Sequence, residues 1–410
     1  MNTTQSSFVM IAILALIFLG GAAGCGDADP DDNNANERPA VEDCETLDSA
    51  PTADVALEGC YRVTDALYVE DDVLVTVEPG TWFLFDANAG LQMNGARLKA
   101  EGTEEAPITF TGVEEVPGYW RGLDFRSTNS PDNVLDHVVV EYGGGEKWGT
   151  SGSFFANINL NDFDGATRVQ ITNSTLRHSE GFGMAVRNES VLESFEDNTV
   201  TDNEAPARIS ANRVEQLGTT SEFEGNEDDH IHVYGDVVDA VTWPRLDVPY
   251  LMQELVTVEE EAYLTIAPGT TLIFTQDTGI WAYEGILTAQ GTADEPILFT
   301  GVEQIPGYWL GLEFHATNSG DNIIEHAVVE YGGSDTFPSS GSGVANITVT
   351  DFYGATRLRL NETTVRASGD AGLYIRQDSV VEGCSNVTFE ENEGDDIVYA
   401  ADAEESCPTS

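Results

Sequence analysis

The chain is almost without lysine. Of its 410 residues only Lys99 and Lys147 are lysines, and 17 basic residues in all stand against 72 acidic ones, for a net charge of -55. Nothing in such a chain could neutralise a phosphate backbone, so nucleic acid is excluded as a natural partner. Long apolar runs are also missing, apart from Val9 to Gly21, which is too short and too abruptly ended for a comfortable membrane span. There is no nucleophile elbow, no Walker loop, no zinc-ligand spacing and no Cys-x-x-Cys, and six histidines leave little for transition metals. No catalytic residue and no metal ligand is therefore assigned. A sustained 3.6-residue periodicity is absent too, which excludes a helical architecture.

What is present begins with the apolar run itself, which reads as the core of an export signal over residues 1–24. The small residues Ala22, Ala23 and Gly24 lead into Cys25. This junction resembles the lipobox of bacterial lipoproteins, with Ala22 where that motif usually has Leu. The resemblance implies lipidation of Cys25, a membrane partner reached only through the lipid, and residence in the cell envelope as an outer-membrane lipoprotein facing the periplasm or the cell surface. The alternative is an ordinary secretory peptide that leaves Cys25 as a thiol. Residues 25–43 are rich in Asp and Asn, lack large apolar side chains, and are expected to form a disordered tether.

Five cysteines are an odd number. Setting Cys25 aside leaves Cys44, Cys60, Cys384 and Cys407, for which three pairings are possible. Locality favours Cys44 with Cys60 and Cys384 with Cys407, a staple at each end that requires an oxidising compartment. The acidity implies self-repulsion that salt relieves, which suits a halophilic host.

Past Cys44 the chain becomes short runs of Val, Ile, Leu, Thr and Phe broken by Gly, Asn, Asp or Pro, an all-β pattern. It also repeats itself at an offset of 189 residues: PITFTGVEEVPGYWRGLDF at 107 to 125 returns as PILFTGVEQIPGYWLGLEF at 296 to 314. About half the positions agree over the best-matched stretch, which no chance composition produces at one offset. Two copies are expected, 44–236 and 237–410. Within each, strand-and-corner segments too short to bury their own apolar faces point to stacked coils. The motifs P-G-T-x-x-x-F, P-I-x-F-T-G, W-x-G-L-x-F and EYGG resemble the right-handed parallel β-helix proteins of the pectin-lyase-like superfamily, over nearly all of residues 60 to 400. At roughly 20 to 25 residues per coil, about fifteen coils are expected.

That superfamily includes polysaccharide lyases and hydrolases beside adhesins, so the resemblance implies a fold more firmly than an activity. The clustered Asp pairs with G-H-G and R-I-K of polygalacturonases are absent. Asp136-His137 and Glu325-His326, with Glu141 and Glu330 nearby, could be acid-base groups, but a hydrogen-bonded coil corner is the plainer reading. Arg168, Arg177 and Arg187 recur as Arg357, Arg366 and Arg376, and are expected to face carboxylates on adjacent coils. Asn161, Asp162 and Asp164, and Asn226, Glu227, Asp228 and Asp229, are weak Ca²⁺ candidates without EF-hand spacing, so no cofactor is expected. The Gly-rich loops 143–153 and 332–343 should project, each with one aromatic, Trp148 or Phe337, as a ligand-contact candidate for a sugar or a surface protein; the other reading is that both rings fold back to cover the adjacent coil. Trp120 and Trp309 should pack inside the coils. The expected function is a lipid-anchored binding or structural module for glycan or partner protein; the alternative is a polysaccharide lyase or hydrolase.

Overall fold

Strands in this chain cannot bury themselves singly, and they solve the problem by stacking. The computed structural model describes residues 37–400, apart from 71, 150–152 and 339–341, together with 403, 406 and 407. Cys25, the signal segment and most of the tether lie outside the described residues. The tether's end differs from expectation: Val41–Asp43 forms a 3-10 turn, and the Arg38 guanidinium is bonded to Glu115 at 2.7 Å and to the carbonyls of Gly112 and Val113. An arginine with so many acceptors holds residues that composition alone marks as loose.

The strands form parallel ladders in five sheets. A seven-stranded sheet begins at Glu45–Leu47 and a six-stranded one at Val55–Leu57, while a thirteen-stranded sheet runs from Ala66–Glu70 to Thr388–Glu390. Two more six-stranded sheets begin at Ala240–Trp243 and Val256–Val258. The fold is a parallel β-helix solenoid. Along the long sheet Leu67 pairs with Leu91, Leu123 with Ile158 and Val329 with Val365, giving coils of 24, 35 and 36 residues. Thirteen strands, where about fifteen coils were expected, follow from the longer coils that carry the Gly-rich loops. At ~4.8 Å per strand the sheet extends roughly 60 Å.

Inward positions alternate along each strand and form one apolar core; in Leu74–Val77, Val75 and Val77 are buried. Large rings recur in it at the 189-residue offset. Phe85 stacks on Trp120 at 4.0 Å and Phe274 on Trp309 at 4.0 Å, and each indole N–H donates to a backbone carbonyl, of Glu141 or Glu330, at 2.8 Å. The glycine of W-x-G-L-x-F sits at φ 94° (Gly122) and 111° (Gly311), where a Cβ would come within 2.4 Å and 2.5 Å of the next coil's carbonyl oxygen. Only glycine fits that approach. Both expected disulfides are present, with Cα–Cα distances of 4.7 Å for Cys44–Cys60 and 5.4 Å for Cys384–Cys407.

From Asn36 on, the chain is one compact unit. Ile231–Tyr234 pairs with Ala205–Ser210 on one side and with Tyr250–Met252 on the other, so the long sheet continues through the region between the repeated halves. Repeated strands nevertheless do not share a sheet. Trp82–Phe85 lies in the seven-stranded sheet, whereas Thr271–Phe274 lies in the long one; Gly90–Asn94 lies in the long sheet, whereas Gly279–Tyr283 lies in the sheet begun by Val256–Val258. The 189-residue offset is therefore not a whole number of coils, and matched side chains look out from different faces.

Candidate functional site

An outward side chain on a β-helix is normally wet, so a buried outward carboxylate marks a place where something covers the sheet. Asp124, in Leu123–Arg126, is such a residue, 1% exposed. It pairs across the sheet with Gln92 and Asn159. Its oxygens accept from Gln92 Nε2 at 2.7 Å and from Asn161 Nδ2. Burial pushes its carboxyl up to about 7, against the pull of those two amides and of Arg126. Beside this group the loop after EYGG comes back onto the sheet. Trp148 lies over Gly90, where an added Cβ would come within 2.5 Å of the indole, and Phe154 N donates to Asn159 Oδ1 at 2.9 Å.

Of the two readings of the Gly-rich loops, the structure shows the one in which the aromatics fold back onto the adjacent coil, and the ligand-contact role expected for projecting rings is not what it shows. Trp148 is 3% exposed and Phe337 2% exposed. Trp148 meets Tyr68 edge-on at 5.8 Å with the Arg121 guanidinium 5.7 Å from its ring. Phe337 lies against Gly279, where a Cβ would be 3.2 Å from the ring. Glycines at 90 and 279 open a socket on the sheet, and an apolar ring fills it in preference to water. Neither ring is a stacking platform in this arrangement.

The matching face of the second copy has different chemistry. Glu313 occupies the position of Asp124, and His315 that of Arg126, in strand Gly311–His315. Glu313 Oε1 accepts from Thr350 Oγ1 at 2.8 Å, and His315 Nδ1 contacts the same Oγ1 at 2.9 Å and Glu313 Oε1 at 3.6 Å. Around the imidazole, Tyr283 and Phe352 stack at 5.3 Å and 6.3 Å, and Trp281 and Tyr353 approach edge-on at 6.0 Å and 5.7 Å. Phe352 and Tyr353 reach solvent.

Neither buried acid was singled out in the sequence, although both sit at the variable position of the L-x-F motif. An acid between two inward residues reads as a solvated outward position, and only side chains from other coils make it otherwise.

The remaining candidates resolve into structure. His137 and His326 sit at coil corners with φ 49° and 47°. Asp136 is held below the usual carboxylate range; burial opposes this, but donors from Thr172, Asn173 and His137 prevail. The six arginines do face carboxylates, themselves repeated at the same offset: Arg168 with Glu193, Arg177 with Glu141 at 2.7 Å and Arg187 with Asp162 at 2.8 Å. In the second copy Arg357 pairs with Glu382 at 2.7 Å, Arg366 with Glu330 at 2.6 Å and Arg376 with Asp351 at 3.7 Å. Arg168, Arg177, Arg357 and Arg366 lie in four different sheets, and Arg187 and Arg376 each just past the end of a strand. Of the Ca²⁺ candidates, Asn161 is engaged by Asp124, Asp162 by Arg187, and Asp228 by His230 and His232, with Asp164 left exposed near Arg126. Among the described residues no three acidic, His or Cys side chains converge as a metal site.

Residues 235–355 match the family described as "Pectate-lyase like beta helix domain". With its parallel coils, the chain carries a pectate-lyase-like β-helix domain, and the matched segment includes the Glu313 face. No curated protein and no solved structure matches the chain.

Asp124 offers a direct check on its own burial. Its folded carboxyl titrates near 7, above the ordinary value of about 3.9, so the folded state keeps a proton that the unfolded state loses between these values. Its contribution to stability therefore falls as pH rises from about 4 to about 7. In thermal unfolding, Asp124→Asn should gain on the parent over that range by up to roughly 4 kcal/mol. A difference between the two proteins that stays constant with pH would mean Asp124 is not sealed from water.

Proposed function

We propose that the protein is an extracytoplasmic, lipid-anchored binding module that takes a glycan on the outward face bearing Glu313 and His315. The observation carrying this reading is the group of four aromatic rings, Trp281, Tyr283, Phe352 and Tyr353, set around buried polar side chains on a rigid sheet. Aromatic faces take the apolar side of a sugar ring, and fixed polar groups beside them orient its hydroxyls. Tyr353 is 73% exposed, a cost in solubility that suits a contact surface. The two disulfides support an oxidising compartment.

The polysaccharide lyase or hydrolase reading draws its support from Asp124, a carboxyl titrating near neutrality as an acid-base catalyst should. Against it, both oxygens of Asp124 already accept hydrogen bonds beneath a loop, and the repeated arginines are tied to carboxylates.

A panel of neutral, acidic and amino polysaccharides, read for both binding and cleavage, separates the two. Binding without new chain ends, weakened at least about fivefold by Tyr353→Ala, is expected. Release of reducing or unsaturated ends would turn the assignment to an enzyme, and no binding to any member would remove the glycan. For the anchor, Cys25→Ser should move the protein from the membrane to the soluble fraction, because acyl chains would be its apolar attachment. Retention of that variant on washed membranes would contradict lipidation at Cys25.

A further inference from the structure

We propose that the Glu313 face selects an amino sugar with a free, protonated amine; this rests on the glycan-binding role above. Thr350 has one hydroxyl hydrogen, and it goes to Glu313 Oε1 at 2.8 Å. With the imidazole taken as uncharged, the 2.9 Å contact between His315 Nδ1 and Thr350 Oγ1 puts the ring hydrogen on Nδ1 and makes Nε2 an acceptor. That Nε2 and Glu313 Oε2 are both buried without a partner, in side chains 1% and 0% exposed. Two buried acceptors left unmet are costly, and what they call for is a donor.

The surroundings say what kind of donor. Rings of Trp281, Tyr283, Phe352 and Tyr353 lie within 6.3 Å of the imidazole, and aromatic faces attract cations. An ammonium supplies N–H groups for both acceptors and a positive charge for the rings. A third buried atom without a partner, Trp281 Nε1, is a donor and needs an acceptor in return. The ligand therefore carries a hydroxyl or ether oxygen beside its ammonium. An amino sugar combines these with an apolar ring face, which can lie on Phe352 and Tyr353 where they reach solvent. Arg376, which lies over Phe352, is paired with Asp351.

The first copy shows the same position closed. Gln92, Asn94, Arg126, Asn161 and Asp164 stand where the second copy has Trp281, Tyr283, His315, Thr350 and Tyr353. There two amides saturate Asp124, and Arg126 brings its own positive charge. Exchanging those amides for an indole and a hydroxyl leaves Glu313 short of a donor. A uronate polymer would meet Glu313 and a chain of net charge -55 with repulsion.

The test measures binding to the full chain of four probes of equal length: a β-linked glucosamine hexamer, its fully N-acetylated counterpart, hexagalacturonate and hexalysine, in about 0.15 M salt to screen diffuse attraction. The glucosamine hexamer should bind saturably and at least about tenfold more tightly than the N-acetylated one, with hexagalacturonate inert. Glu313→Gln and Tyr353→Ala should each lose about tenfold, and Asp124→Asn should retain binding. Tyr353 is at the surface, so its variant reads the site even where Glu313→Gln perturbs folding. Binding unchanged by both variants would be diffuse attraction to an acidic chain and would overturn the proposal. Equal affinity for the N-acetylated hexamer, lost in the variants, would overturn amine selection while the glycan role stood. Hexalysine binding as tightly, and lost in Glu313→Gln, would replace the sugar with a peptide amine. If no sugar bound at all, both readings would fall.

Discussion

Everything in this fold depends on the fact that one coil cannot bury its own interior. The inward side chains of each coil are covered only by the coils above and below, and the parallel backbone ladder makes that cover continuous. Phe85 on Trp120 and Phe274 on Trp309 are contacts between chain segments 35 residues apart, made at 4.0 Å. The same constraint places glycine at 122 and 311, where the next coil's carbonyl leaves no room for a Cβ. It also explains why the disulfides lie near the two ends, where the stack runs out of neighbours.

Because the ladder and the interior hold the coils, outward positions are free to change. The arginine–carboxylate pairs persist in both copies, since each ties adjacent coils and offsets repulsion in a chain with few cations. The position of Asp124 and Glu313 has instead diverged, from a saturated amide cluster to an aromatic one with unmet acceptors. The shift of one sheet between matched strands adds a geometric difference. Asp124 looks out from the long sheet and Glu313 from another, so the two copies share a skeleton but neither a binding surface nor its direction.

The architecture was legible because it rests on periodic features: apolar runs, corner residues and a 189-residue repeat carrying W-x-G-L-x-F twice. The disulfide pairing and the arginine partners were legible for the same reason, being local or repeated. What escaped the sequence was set by contacts between distant segments. A Gly-rich loop with one aromatic leaves open whether the ring projects or folds back, and nothing local reveals that Gly90 and Gly279 open sockets for Trp148 and Phe337. Asp124 and Glu313 read as solvated because their burial depends on side chains brought from other coils, Gln92 and Asn161 in one copy and Trp281 and Thr350 in the other. The change of sheet between copies depends on how many residues each coil consumes, and loops of unequal length hide that number.

The central claim is that one hydrogen-bonded stack passes through the region between the repeated halves. Amide hydrogen exchange in Ile231–Tyr234 and Tyr250–Met252 tests it most directly. These amides should be protected as strongly as those of interior strands such as Ala156–Asn161 and Ala345–Thr350, because each strand has a partner on both sides. Exchange there at loop-like rates, with the flanking strands still protected, would contradict a single stack and leave two separate bodies.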